Sequence, residues 1–259
     1  MSYYNILRWR ISKLNVITSQ NVILSARRLE VEEETRTRRT LELLRTIVGD
    51  HAPAVLAASF GAEDMVLIDL IARHGLLIGV FTLDTGRLPE ETYSLMHSTA
   101  RRYRIPVAVF SPETADVERY VAAHGPNAFY DSQALRQQCC FIRKVKPLKR
   151  ALAGNRAWIT GQRREQSVTR RDLPTREWDA EHGLDKFNPL ADWSQDEVWA
   201  YIRRHAVPYN ALHDRGYPSI GCAPCTRAIG PGEDVRAGRW WWESAEHREC
   251  GLHPHRRAS

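Results

Sequence analysis

Five cysteines carry most of the chemistry this chain can offer. Cys139 and Cys140 are adjacent, Cys222 and Cys225 form a C-A-P-C pair, and Cys250 stands alone in E-C-G-L-H at 249–253. An odd count, in a chain of 259 residues that needs no staples, argues for metal or redox chemistry in a reducing compartment rather than a disulfide framework. Four thiolates suit tetrahedral zinc or an iron–sulfur cluster. Zinc ribbons use two C-x-x-C knuckles, and neighbouring cysteines crowd one small ion. A cubane is wider, and vicinal cysteines can reach two different irons. The spacing favours [4Fe–4S] and leaves zinc open. Cys250 reads either as an incidental exposed thiol or as a nucleophile helped by the nearby His247 and His253.

Cations cluster near the same residues. The chain has five lysines, and Lys144, Lys146 and Lys149 follow Cys139-Cys140 directly, with Arg143 and Arg150 among them. One helical turn puts Lys144 on the face of Cys140. There it can hold an anionic ligand or offset thiolate charge; the plainer alternative is a solvated basic face. Arg163, Arg164, Arg170 and Arg171, and then Arg236 and Arg239 ahead of Trp240-Trp241-Trp242, offer forks for phosphate or sulfate, although scattered surface arginine is common. The tryptophans are expected to pack as core or to support a loop.

The elements that must position these residues alternate. Residues 29–48 read as a helix, 55–59 as a buried strand, and the apolar run from Met65 to Ile71 as a helix. A second strand covers 78–83, a helix runs from Pro89 to about Tyr103, and a third strand covers 107–110. A helix follows to Gly125, and 133–152 is one helix bearing both vicinal cysteines. The fourth strand is 158–160, 161–176 is a polar loop, and 187–190 an extended turn. Ser194-Gln-Asp-Glu197 is a capping box that opens a helix to about His205. This pattern predicts an α/β fold with a mainly parallel sheet. Ligands in such sheets lie beyond the carboxyl ends of the strands, here 59–64, 83–87 and 160–164. The 59–64 turn offers helix-start N–H groups to an anion. It lacks the Walker lysine, which argues against ordinary ATP hydrolysis. Asp84 reads as a helix cap or as a nucleoside contact.

The net charge is +6, with 43% hydrophobic and 26% charged residues. Residues 1–29 carry +5 and no acid, so the rest is nearly neutral and gives little support to a nucleic-acid surface. No apolar run is long enough to span a membrane. Residues 1–28 are treated as an N-terminal extension of unassigned role, an organellar transit segment being the alternative to a cytoplasmic protein. Residues 29–259 form one domain, with an irregular, mobile tail from 230.

Taken together, S-F-G-A-E-D (59–64), L-D-T-G-R (83–87), C-C-F-I-R-K (139–144), T-G-Q-R-R-E-Q-S (160–167), G-C-A-P-C-T-R (221–227), R-A-G-R-W-W-W (236–242) and E-C-G-L-H (249–253) resemble the adenylyl-sulfate and phosphoadenylyl-sulfate reductase family, in its assimilatory adenylyl-sulfate branch. The resemblance implies a Rossmann-like adenine-nucleotide α-hydrolase fold, with helices on both faces of the sheet and 59–64 as a modified pyrophosphate loop. It implies a [4Fe–4S] cluster on Cys139, Cys140, Cys222 and Cys225. Family members specific for phosphoadenylyl sulfate generally lack those four cysteines, so adenylyl sulfate is the expected substrate, with dual use as the alternative. Lys144, Arg236, Arg239 and His253 are expected around the phosphosulfate. Ser59, Gly61, Glu63, Asp64, Leu83, Asp84, Thr85, Gly161, Arg163, Arg164 and Arg171 are expected to bind the rest of the substrate. Cys250 is the expected nucleophile, forming an S-sulfocysteine that thioredoxin or glutaredoxin releases as sulfite. No nucleic acid or membrane partner is expected, and a homo-oligomer is left open. A non-catalytic zinc protein that binds nucleic acid is the remote alternative.

Overall fold

The computed structural model describes residues 32–167 and 170–244. The extension 1–28 and the tail positions Cys250 and His253 lie outside them. The chain divides into two compact units, 1–42 and 43–259. Of the first, 32–42 are described and are helical. Apart from the start of helix α1, everything below concerns the second.

Helix α1 covers 32–50, and its Leu44 and Ile47 are fully buried. Strands β1 (Ala54–Ala57), β2 (Ile78–Leu83), β3 (Val107–Phe110) and β4 (Ala157–Ile159) follow as the alternation predicts. Two further strands, β5 (Arg176–Asp179) and β6 (Leu184–Phe187), complete a six-stranded sheet of order β3-β2-β1-β4-β6-β5. All neighbours are parallel except β5, which runs antiparallel to β6 at the edge. The polar loop expected through Arg176 and the turn expected from Phe187 therefore enclose a hairpin. Its sequences, R-E-W-D and L-D-K-F, show no apolar run. Cross-strand ion pairs, Arg176–Asp185 at 3.0 Å and Lys186–Glu177 at 3.0 Å, join them instead.

Alternation along the strands builds two cores. Ala54 and Leu56 of β1 face the same side as Ile78, Val80, Ala157 and Ile159, under α2 (Ala62–Arg73), α3 (Glu90–Tyr103) and α7 (Gln195–Arg204). Val55, Phe81, Trp158 and Leu184 face the other side, against Leu148 and Leu152 of α6 (Lys146–Leu152). Helices thus cover both faces. Helix α4 (Thr114–His124) follows β3. Helix α5 (Gln133–Cys140) starts at Ser132, whose Oγ accepts from the Leu135 N–H at 3.2 Å, and continues through a π turn, Phe141–Val145, into α6. Pro147 explains the widening: it has no N–H to give and its ring crowds the preceding turn. The capping box at α7 forms as expected, with Glu197 N–H to Ser194 Oγ at 3.1 Å and Ser194 N–H to Glu197 Oε2 at 2.7 Å. Among the described residues, no helix is long and apolar enough to cross a membrane.

The chain leaves β1 toward β2 and β3, then returns to β4 on the other side of β1. That switch leaves a crevice at the carboxyl ends of β1 and β4.

Candidate active site

A cleft of about 720 Å³ opens at this crevice. Its floor is the turn from β1 to α2. Phe60 there takes a left-handed backbone, φ 61, although it is not glycine. Such a residue costs roughly 1–2 kcal/mol, and outliers of this kind gather at functional sites. Gly61 caps α2 without a side-chain hydrogen bond, and the first turn of the helix borders the cleft.

Two acids in the first turn of α2 would repel an anion if left bare. Glu63 Oε1 instead accepts from Arg163 Nε at 2.8 Å and from Gln166 Nε2 at 3.0 Å. Asp64 Oδ2 accepts from the Ser59 N–H at 2.7 Å and from Ser59 Oγ at 2.8 Å. Burial pushes Asp64 up to about 6, against the Ser59 hydrogen bonds and with help from the Glu63 charge. Gly161, just beyond β4, packs so closely on this turn that a Cβ would lie 2.5 Å from Asp64 Oδ1 and 2.9 Å from Glu63 Cβ. Only glycine allows that approach.

The turn after β2 supplies the second wall. Leu83 and Thr85 line the cleft. Asp84 is neither a cap of α3 nor part of the lining; its Oδ1 accepts from the Gly86 N–H at 2.8 Å and from Tyr93 OH at 2.7 Å, which fixes the turn to α3. Thr85 faces the cysteines. Its carbonyl accepts from Arg143 Nη1 at 2.6 Å, and its hydroxyl lies within hydrogen-bond reach of Cys222 Sγ, at 3.3 Å.

The structure brings the two cysteine pairs together. Cys139, Cys140, Cys222 and Cys225 line one small cavity with Phe129 and Trp240. Cys222, Lys144 and Trp240 border both this cavity and the large cleft, and the π turn is what carries Lys144. Among the described residues, no three His, Cys, Asp or Glu side chains converge tightly enough to hold a single metal ion. Burial pushes the Cys225 thiol up to about 12, with Cys222 adding to the effect, and burial also raises Cys139. Cys222 goes the other way. Burial opposes its ionisation, but Lys144, the Thr85 hydroxyl, Arg239 and Arg143 together hold it below the ordinary thiol range.

Arg236 and Arg239 reach the cleft from a loop clamped onto the C-x-x-C turn. Arg227 N–H donates to the Gly238 carbonyl at 2.9 Å, and Trp240 N–H to the Cys225 carbonyl at 3.2 Å. Arg239 lies against Gly221, where a Cβ would sit 2.3 Å from its Nη2. Its Nη1 donates to the Ile220 carbonyl at 3.2 Å, and its guanidinium stacks 4.7 Å from the Trp240 ring centre. Arg163 lines the cleft while held by Glu63 and Glu165. Arg164 is bound by Asp192 and the Leu173 carbonyl, and Arg171 is exposed; neither lines the cleft. Arg170 does, with its Nη1 on Gln166 Oε1 at 2.5 Å.

A nucleotide-sized cleft that ends in cations beside four cysteines agrees with the comparisons. Residues 53–228 match the family described as the phosphoadenosine phosphosulfate reductase domain. The chain belongs to this family. Within it, the chain is 58% identical to the adenosine 5'-phosphosulfate reductase of Allochromatium vinosum, over 85% of this chain and 86% of that protein. It is 54% identical to that of Neisseria meningitidis serogroup B, over 85% and 89%. The phosphoadenylyl-sulfate reductase of Candida auris, solved as a phosphate complex, superimposes with a TM-score of 0.64 at 29% identity, covering 78% of this chain and 96% of that one. In this reductase, Glu63 is paired with Arg163, Asp64 is held by Ser59, and the cysteine cavity shares a wall with the cleft.

Two features of the site escape sequence reasoning. Arg136 is 1% exposed and packs against the cysteine cavity. Gln166 bridges Glu63, Arg163 and Arg170. Helical phase offered the only signal for Arg136, since it lies one turn before Cys140.

Proposed function

We propose that the chain reduces adenylyl sulfate to sulfite and AMP by way of an S-sulfocysteine on Cys250. The observation that carries this reading is the shared wall of Cys222, Lys144 and Trp240. A nucleotide lying along the sheet edge would then have its anionic end next to the cysteine cavity. The adenosine lies against Leu83, Thr85 and Gly161. The phosphosulfate meets the start of α2 through Ser59 and Gly61, and then Lys144, Arg236 and Arg239, with His253 joining them. The Cys250 thiolate attacks the sulfate sulfur, and the bond from sulfur to the phosphate oxygen breaks. AMP departs with the electron pair, and the surrounding cations stabilise that developing charge. A thiolate of thioredoxin or glutaredoxin then attacks Cys250 Sγ. Sulfite leaves, and the second thiol of the reductant resolves the mixed disulfide. The two electrons come from that dithiol.

Cys139, Cys140, Cys222 and Cys225 would hold a [4Fe–4S] cluster. Four thiols around one cavity, two of them vicinal and so able to reach different metal atoms, suit a group wider than a single zinc. Bound there, the cluster would supply local charge and a rigid joint beside Lys144. The need for reduced thiols favours the cytoplasm. Adenylyl sulfate is favoured over its 3'-phosphorylated counterpart by the four cysteines and by the named relatives.

The test is sulfite release from adenylyl sulfate by the anaerobically purified protein. Release that requires thioredoxin or glutaredoxin supports the reading. Release only from phosphoadenylyl sulfate, or none from either nucleotide, contradicts it.

A further inference from the structure

Arg136 lies on α5, three residues before Cys139, and is 1% exposed. Its Nε donates to Glu243 Oε1 at 2.6 Å, and the Glu243 side chain is 8% exposed. The guanidinium lies 4.8 Å from the Trp240 ring centre. Burial works against the Arg136 charge, and Glu243 and Cys140 hold it above its ordinary value. Trp240 takes a left-handed backbone, φ 43. Its N–H is bound to the Cys225 carbonyl and its own carbonyl to the Glu243 N–H, at 3.2 and 2.9 Å. The vicinal-cysteine helix, the C-x-x-C turn and segment 240–243 are thus fastened at one point. A buried ion pair is a poor source of net stability, and its best-attested use is to fix register. Cys250 stands seven residues beyond Glu243, within about 25 Å of it at full extension. Trp240 borders the cleft.

We propose that Arg136 is a positioning residue. Through its buried ion pair with Glu243, it fixes segment 240–243, which ends seven residues before Cys250, relative to the cleft and the cysteine cavity. The inference rests on the reading of Cys250 as the nucleophile. AMP binding rests on the turns that follow β1, β2 and β4, of which this pair is no part. The rate at which Cys250 meets the sulfur does, because misplacement of a reacting group by about 1 Å can cost up to a hundredfold.

The test uses the full chain, purified anaerobically, as wild type, Glu243→Gln, and the double variant Arg136→Met/Glu243→Leu. The double variant replaces both charges by apolar groups of similar size. Three quantities are read: bound iron, AMP affinity, and the single-turnover rate of SO3 transfer to Cys250 by peptide mass, with no reductant present. The expected result is transfer slowed about tenfold or more in both variants, with iron and AMP affinity retained. Transfer at the wild-type rate in the double variant overturns the proposal. So does loss of iron and AMP affinity in step with the rate in both variants, since the pair would then serve only stability. If Glu243→Gln alone loses its iron because a charge is left unpaired, the double variant decides. If the wild type carries SO3 on a residue other than Cys250, the nucleophile reading fails first and this inference falls with it. If the adduct is on Cys250 and the variants match the wild type, the positioning inference fails alone.

Discussion

Replacing Gly161 by alanine should damage the cleft out of proportion to its size. A Cβ at 161 would stand 2.5 Å from Asp64 Oδ1, 2.9 Å from Glu63 Cβ and 3.3 Å from the Asp64 backbone nitrogen. The first contact could relax by turning a carboxylate, at the expense of the Ser59 hydrogen bonds. The other two involve the first turn of α2 and cannot relax that way. Restoring ordinary van der Waals contact requires β4 and α2 to separate by several tenths of an ångström. Overpacking of this kind costs about 1–3 kcal/mol, or roughly 2–4 °C in Tm per kcal/mol for a domain of this size. The displaced turn is also the floor that should receive the phosphate, so AMP affinity should fall about tenfold or more. Gly154→Ala is the matched control. It sits at φ +80 with nothing within 4 Å of its Cβ, so it should cost roughly 1–2 kcal/mol of backbone strain and leave AMP affinity unchanged. Calorimetric titration with AMP alongside thermal unfolding separates the two. Gly161→Ala binding AMP as tightly as the wild type would refute the placement of the nucleotide against this turn.

Further outcomes follow from the same geometry. Lys144→Met should lower the rate of sulfonate transfer about a hundredfold in single-turnover assays with adenylyl sulfate. Cys222→Ser, and likewise Cys140→Ser, should lose bound iron and acid-labile sulfide together, read by anaerobic metal analysis; zinc in the wild type in place of iron would contradict the cluster. The folded-state pKa of Asp64, raised to about 6, means that folding favours its protonated form. That contribution is fully present below its unfolded value, near 4, and is lost as pH rises through about 6, amounting to roughly 3 kcal/mol. Asp64→Asn should therefore flatten the decline in stability between about pH 4 and 6, as read by denaturant unfolding at several pH values; an unchanged slope would contradict the shift.

Much of the fold is legible where local signals agree with tertiary context. The runs around Val55 and Val80 are apolar on both faces because both faces of the sheet are covered there; at the edge strand β3 the run stays apolar although Val109 is 48% exposed. The Ser194 capping box states the start of α7 outright. The β5–β6 hairpin is hidden because its pairing depends on Arg176–Asp185 and Lys186–Glu177, charges that read locally as loop. The site is legible in part for a similar reason. Residue type and spacing propose the four cysteines as one site, one pair on a helix and one in a C-x-x-C turn, and the fold shows both pairs lining one cavity. Arg163 and Glu63 both look like ligand contacts in isolation, whereas the structure joins them at 2.8 Å, a pairing across a hundred residues that no local pattern announces. Arg136 is hidden because its partner, Glu243, lies far along the chain in a segment without periodicity.

The central claim is that Cys250 takes the sulfonate from adenylyl sulfate before any reductant acts. Its direct test is peptide mass analysis of the protein mixed with adenylyl sulfate in the absence of thiols. The account predicts one SO3 on Cys250, released AMP in equal amount, and no free sulfite until thioredoxin or glutaredoxin is added. Free sulfite without a thiol, or an SO3 group elsewhere on the chain, would contradict it.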